Sequence, residues 1–193
     1  MKRYLLACFI LISCFSATAQ FNLEQFNKER LQLTKNGMLV LGGWSAANII
    51  SGGIGLSNSS GEAEYFHRMN LIWGSVNLVI AGASYLSLTR RKSDLSFADT
   101  RKEQSRIEKT FLLNGTLDLV YITAGLYLCE KGKNDSNPDK YKGFGKSVIM
   151  QGAGLLLFDG IMYVLQVNHG KKFWKVLDGL QVAPNAVGLN IRL

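Results

Sequence analysis

Cysteine is nearly absent from this chain. Three occur in 193 residues, and two of them, Cys8 and Cys14, fall within the first twenty. Cys129 is therefore left with no partner for an intramolecular disulfide and no companion for a cysteine-built metal site. Histidine is as scarce. His67 opens one apolar segment and His169 follows another, on opposite membrane faces if those segments cross a bilayer, which excludes a shared metal or haem site. Neither histidine lies at the depth of a buried serine, which excludes a serine nucleophile with a histidine base. Proline occurs only twice, so few points forbid helix. Charge is the most informative deficit: charged residues make up 19 % of the chain and are gathered into blocks. A soluble helical protein distributes charge along its outward faces, and this sequence leaves nothing to face water over long stretches.

Those stretches are four. Gly37 to Leu56 and Met69 to Leu88 carry no charged residue, whereas Phe111 to Leu128 and Ser147 to Val167 carry one each, Asp118 and Asp159. Each runs about 18 to 21 residues, enough to cross a hydrocarbon core of roughly 30 Å as a helix. With 47 % hydrophobic residues and a mean hydropathy of +0.08, the chain reads as an all-α integral membrane protein. Its domain, residues 37–167, is a bundle of two helical hairpins with spans 37–56, 69–88, 111–128 and 147–167.

The flanks divide as follows. Residues 1–19 read as a signal peptide: Lys2 and Arg3, an apolar run from Leu5 to Phe15, and an Ala17-Thr18-Ala19 cleavage site before Gln20. A lipobox at Leu11-Ile12-Ser13-Cys14 is the competing reading. Residues 20–36 mix Phe21, Leu23, Phe26, Leu31 and Leu33 with Glu24, Lys28, Glu29 and Arg30, as an interfacial amphipathic helix does; a plain extension of the first span is the alternative. Thr89 to Thr110 is a long basic loop, expected to be solvent-exposed and partly helical. Asn134-Asp135-Ser136-Asn137-Pro138 is a turn signal. The tail, residues 168–193, lies outside the membrane core, with Phe173 and Trp174 at the interface and a short strand from Val187 to Leu193. A cleaved signal exports the N-terminus and predicts a bacterial inner (cytoplasmic) membrane protein. The positive-inside rule argues the reverse orientation, because the exported segments would hold 14 Lys and Arg against 6 on the other side. The signal engages the export machinery first, and the exported orientation follows it.

Each span contains one amide or carboxylate well inside it: Asn48, Asn77, Asp118 and Asp159. At 1.5 Å per residue they fall within roughly 6 Å of a common depth. An aspartate facing lipid costs on the order of 2.5 to 3.5 kcal/mol, so a shared inward-facing polar layer is expected. Trp44, Asn70, Trp73 and Asn114 support it, each one turn from a layer residue or on the same stripe. Gly43, Ala47, Ser51 and Gly55 repeat every four residues and predict a close helix-packing face.

Other motifs carry little. Gly145-Lys146-Ser147 resembles the end of a phosphate-binding loop, but Lys140 stands where its first glycine belongs. Asn58-Ser59-Ser60 and Asn114-Gly115-Thr116 match glycosylation acceptors only as patterns. The net charge of +8 sits in loops beside apolar segments, where anionic lipid headgroups are the nearer partner, and no nucleic-acid binding is expected. No cofactor, no metal and no enzymatic activity are predicted.

The runs from Gly37 to Asn48 (GMLVLGGWSAAN) and from Phe66 to Asn77 (FHRMNLIWGSVN) resemble an uncharacterised family of small exported bacterial membrane proteins, with Gly74 standing where that family carries a polar residue. The resemblance implies four helices and supplies no activity. Two functional readings follow: a non-enzymatic structural or accessory component, self-associating or meeting a membrane protein partner through small-residue faces, or a small transporter or ion-conducting subunit using the Asn/Asp layer. The mature chain is expected to begin at Gln20. Intact-mass measurement of membrane-purified protein checks this, and a mass retaining residues 1–19 or carrying lipid on Cys14 would overturn it.

Overall fold

A computed structural model describes residues 21–183 and 186–189. The signal segment, its Ala17-Thr18-Ala19 site and residues 190–193 of the expected strand lie outside the described residues. Four helices account for most of the rest: α1 (Leu23–Asn58), α2 (Glu62–Thr89), α3 (Phe97–Lys131) and α4 (Pro138–Gly179). All four are long and apolar enough to cross a membrane. After α4, β1 (Leu180–Ala183) pairs antiparallel with β2 (Ala186–Leu189), so the expected strand at the C-terminus is one arm of a hairpin.

The local chemistry sets the helix ends. Asn22 caps α1 by accepting from the Gln25 backbone N–H, and Ser96 caps α3 by accepting from Asp99. Gly61 takes φ +61° between α1 and α2, a left-handed conformation that a side chain would disfavour. In the turn before α4, Asp135 accepts from the Asn137 backbone N–H and Asn137 accepts from that of Lys140, with Pro138 opening the helix. The turn signal at Asn134 to Pro138 is thus where the chain reverses.

α1 pairs closely with α2, and α3 with α4; α4 also packs along α2, while α2 and α3 scarcely meet. These are the two expected hairpins, but the helices outrun the expected spans. At 1.5 Å per residue α1 and α4 reach about 54 and 63 Å, well past a hydrocarbon core of roughly 30 Å. The excess lies mostly at one end, where the start of α1, the start of α3 and the end of α4 form a three-helix collar. Residues 20–36 are accordingly no separate interfacial helix. From Leu23 on they are the first turns of α1, and Asn27, Arg30, Leu31 and Thr34 are buried.

Polar contacts tie the collar. Asn27 Nδ2 donates to Thr100 Oγ1 at 2.8 Å, Gln166 Nε2 to Thr34 Oγ1 at 2.9 Å, and Gln104 Nε2 to the Gln166 carbonyl at 2.9 Å. Phe173 is fully buried against Phe21, Phe26 and Phe97 rather than standing on the protein surface. His169 stacks on Phe26 at 4.2 Å and meets its carbonyl at 3.1 Å; burial pushes the His169 pKa below its ordinary value, against the Phe26 carbonyl and Glu29, which favour the charged ring. The basic Thr89 to Thr110 segment is helical from Phe97, with Arg101, Lys102, Arg106 and Lys109 exposed and Thr100 and Gln104 turned inward.

At the other end the helices touch through glycine. A Cβ on Gly74 would lie 2.9 Å from the Ser45 carbonyl, and one on Gly52 2.9 Å from the His67 carbonyl, joining α1 to α2. Gly125, Gly145 and Gly152 do the same between α3 and α4. The expected packing stripe on α1 is displaced: Gly43, Ala47 and Ser51 are exposed and only Gly55 is partly covered. The packed face is Leu41, Ser45, Asn48 and Gly52, about 100° round the helix, because that face meets Gly74. Gly74→Ala should therefore destabilise the protein by about 1 to 3 kcal/mol. Gly43→Ala, with no atom within 4 Å of the added carbon, should stay within about 0.5 kcal/mol. Thermal unfolding in detergent compares the two.

Candidate functional site

α4 carries the stripe that organises the interior. Ser147, Gln151, Leu155, Asp159, Met162, Gln166 and Phe173 recur at helical spacing, and all are buried. The polar members face different neighbours, and they divide the interior into two parts of unlike character.

The first part is closed and saturated. Gln151 Nε2 donates to Asn48 Oδ1 at 2.6 Å and to Asn70 Oδ1 at 3.2 Å, while Gln151 Oε1 accepts from Trp44 Nε1 at 3.2 Å. Ser147 Oγ donates to Asn70 Oδ1 at 2.5 Å, and Asn48 Nδ2 donates back to the Trp44 carbonyl at 2.8 Å. One glutamine thus joins α1, α2 and α4. This is inter-helix hydrogen bonding of the kind that holds membrane bundles together, each bond worth about 0.6 to 2 kcal/mol.

The second part is open. A cavity of about 650 Å³ lies between α2 and α3, with α1 and α4 behind it. Arg91, Glu103 and Arg106 stand at its collar end, where Glu103 pairs with Arg91 at 2.9 Å and Arg106 at 3.6 Å. From Arg106 to Asp118 along α3 is about 18 Å at 1.5 Å per residue, so the cavity reaches deep between the apolar spans. Asn77, Asn114, Asp118 and Asp159 line that depth, and Trp73 and Tyr121 bridge α2 to α3 there, edge to face with centroids 5.0 Å apart.

Asp118 and Asp159 are 3 % and 5 % exposed and line the same cavity. Asp159 Oδ1 accepts from Asn114 Nδ2 at 3.4 Å. No lysine or arginine among the described residues forms an ion pair with either aspartate. Asp118 Oδ2 and Asn77 Nδ2 are buried without a hydrogen-bond partner. Carboxyls held so deep are uncharged or neutralised by something bound.

The expected layer is therefore two sites. Asn48, Asn77, Asp118 and Asp159 are all buried, but Asn48 belongs to the saturated cluster with Trp44 and Asn70, and the other three belong to the cavity with Trp73 and Asn114. Ser147, Gln151 and Tyr121 were not among the predicted site residues. Ser147, Gln151 and Asp159 share one face of the last span at spacings of four and eight residues, a signal present in the sequence. Tyr121 has no such signal, because only the α2–α3 gap makes it a wall. Lys146 of the discounted phosphate-loop motif sits on a helix and pairs with Glu62 at 2.5 Å. Gln151→Leu should strand Asn48, Asn70 and Trp44 and destabilise the protein by about 1 to 3 kcal/mol. Thermal unfolding of Gln151→Leu, Asn48→Leu and the double variant should show non-additive losses.

No curated protein and no solved structure shows significant similarity to this chain. A family model described as "Family of unknown function (DUF6992)" matches residues 40–160, more than half of the chain. The matched segment runs from the middle of α1 to Gly160, so it takes in both the saturated cluster and the aspartate pair. The expectation of an uncharacterised family is thereby met: the chain belongs to the DUF6992 family of unknown function.

Proposed function

We propose that this chain is a multi-pass membrane protein, without catalytic activity, that binds a proton or a cation at Asp118 and Asp159 as a small transporter or ion-conducting subunit. The membrane assignment is supported by polarity turned inside out. Among the described residues, buried polar side chains outnumber buried apolar ones, fourteen to eleven, while Leu39, Val40, Ile50, Val79, Leu113 and Leu157 are more than half exposed. Water would penalise such a surface, and a bilayer accepts it. The signal segment supports a bacterial inner membrane with the N-terminus exported, which turns the collar and the cavity mouth outward. Exposed Arg101, Lys102 and Lys109 then suit anionic headgroups.

The observation that carries the transport reading is the cavity itself. Asn48 and Gln151 pack against one another, whereas Asp118 and Asp159 front open space, with Asp118 Oδ2 and Asn77 Nδ2 unpaired. Two facing carboxyls reached from one end form a site that can exchange a charge with the solution there. The saturated cluster favours a structural role for its own half of the bundle.

Reconstitution into liposomes tests the reading. The native protein should conduct protons or an alkali cation under an imposed potential. Asp118→Asn with Asp159→Asn should reduce that flux at least about tenfold while keeping the fold, because an amide replaces most hydrogen bonds of a carboxyl. No flux from the native protein, or equal flux from the double variant, would overturn the transport reading.

A further inference from the structure

The cavity is larger and more apolar than a bare ion requires. Leu41, Val76, Ile80, Phe111, Leu155 and Phe158 make up much of its wall, and its volume of about 650 Å³ falls within the range of drug-sized ligand sites, roughly 300 to 1,000 Å³. Calcium and magnesium need six or more oxygens around them, and no group of three or more His, Cys, Asp or Glu placed to hold a metal ion occurs among the described residues. At the deep end two carboxyls lacking an ion pair line the cavity together with Asn77, Asn114 and the Trp73 and Tyr121 rings.

This pattern of countercharge, aromatic faces and apolar walls complements a bulky organic cation. The route in fits as well. Because α2 and α3 scarcely meet, the cavity is flanked by a gap between two membrane-facing helices, and a ligand soluble in the bilayer can enter sideways.

We propose that the cavity binds a lipophilic organic cation, a quaternary ammonium or phosphonium in chemical class, with Asp118 and Asp159 as its countercharge and Trp73 and Tyr121 against its face. This rests on the reading of the aspartate pair as a charge-binding site and names what it takes.

Tetraphenylphosphonium and tetraphenylborate, alike in shape and opposite in charge, are the probes. In equilibrium dialysis against the full chain in detergent, with empty micelles subtracted, tetraphenylphosphonium should bind saturably at one site per chain and tetraphenylborate should not. Asp118→Asn with Asp159→Asn should weaken phosphonium binding at least about tenfold, and Trp73→Leu about two- to thirtyfold. The comparison of the two probes uses the native protein, so it stands even if a variant fails to fold. Absent saturable phosphonium binding, equal binding of both ions, or unchanged binding in the double asparagine variant would each overturn the proposal. Aspartate-dependent flux of protons or alkali cations without phosphonium binding would sink this inference and leave the proposed function standing. Phosphonium binding without any flux would do the opposite, leaving a receptor site in place of a transporter.

Discussion

Backbone-to-backbone contact at glycine is the constraint on which the rest of the bundle depends. Within a bilayer, apolar side chains gain little by leaving lipid for one another, so helices associate where their backbones can approach and where polar groups can meet. Here Gly52 and Gly74 bring α1 onto α2, and Gly125, Gly145 and Gly152 bring α3 onto α4. Two tight hairpins result. Gly143, set against the Glu62 and Phe66 backbone, joins them through α4 and α2.

Two hairpins joined along α2 and α4 leave α2 and α3 without a shared seam. Toward the collar the filling side chains are large, with Met38, Leu88, Phe111 and Met162 clustered there, and the glycines there, Gly37 and Gly170, meet the Met162 and Gln104 side chains rather than backbone. The aspartate pair sits between these regimes, at the last tight contact of α3 with α4, where Gly152 meets the Asp118 carbonyl, and below the collar cluster. A carboxyl one or two turns further along would meet a packed glycine seam. The cavity is thus a product of where the small residues stop.

The same division explains the unlike fates of the buried polar groups. Gln151 sits where α1, α2 and α4 converge, so its amide has three neighbours within reach and leaves none of its own atoms unpaired. Asp159, two turns on, has α3 for a neighbour and open volume beside it. Satisfied amides fix a helix arrangement, whereas a carboxyl with an unpaired oxygen beside a cavity, as Asp118 is, is chemically available. The collar above, built from Asn27, Thr34, Thr100, Gln104 and Gln166 around Phe173, continues the polar stripe of α4 past the apolar spans.

Sequence by itself determined the number of helices, their apolar surfaces, the turn at Asn134 to Pro138 and the inward facing of Asn48, Asn77, Asp118 and Asp159, because the penalty for a polar group in hydrocarbon depends on depth and scarcely on partners. Helix length beyond the spans was not legible: residues 23–36 and 97–110 are polar enough to read as interface or loop, and only contacts such as Asn27 with Thr100 make them a collar. Nor was the packing face of α1. Gly43, Ala47, Ser51 and Gly55 obey the same four-residue spacing as the face in use, and what selects Ser45 and Gly52 is the position of Gly74 on another helix. Tertiary structure alone decided that Asn48 joins Gln151 while Asp118 joins Asp159. A common depth follows from counting residues along one helix at a time, but which polar groups touch depends on the rotation of each helix and on the gap between α2 and α3, and these are set by contacts among helices far apart in sequence.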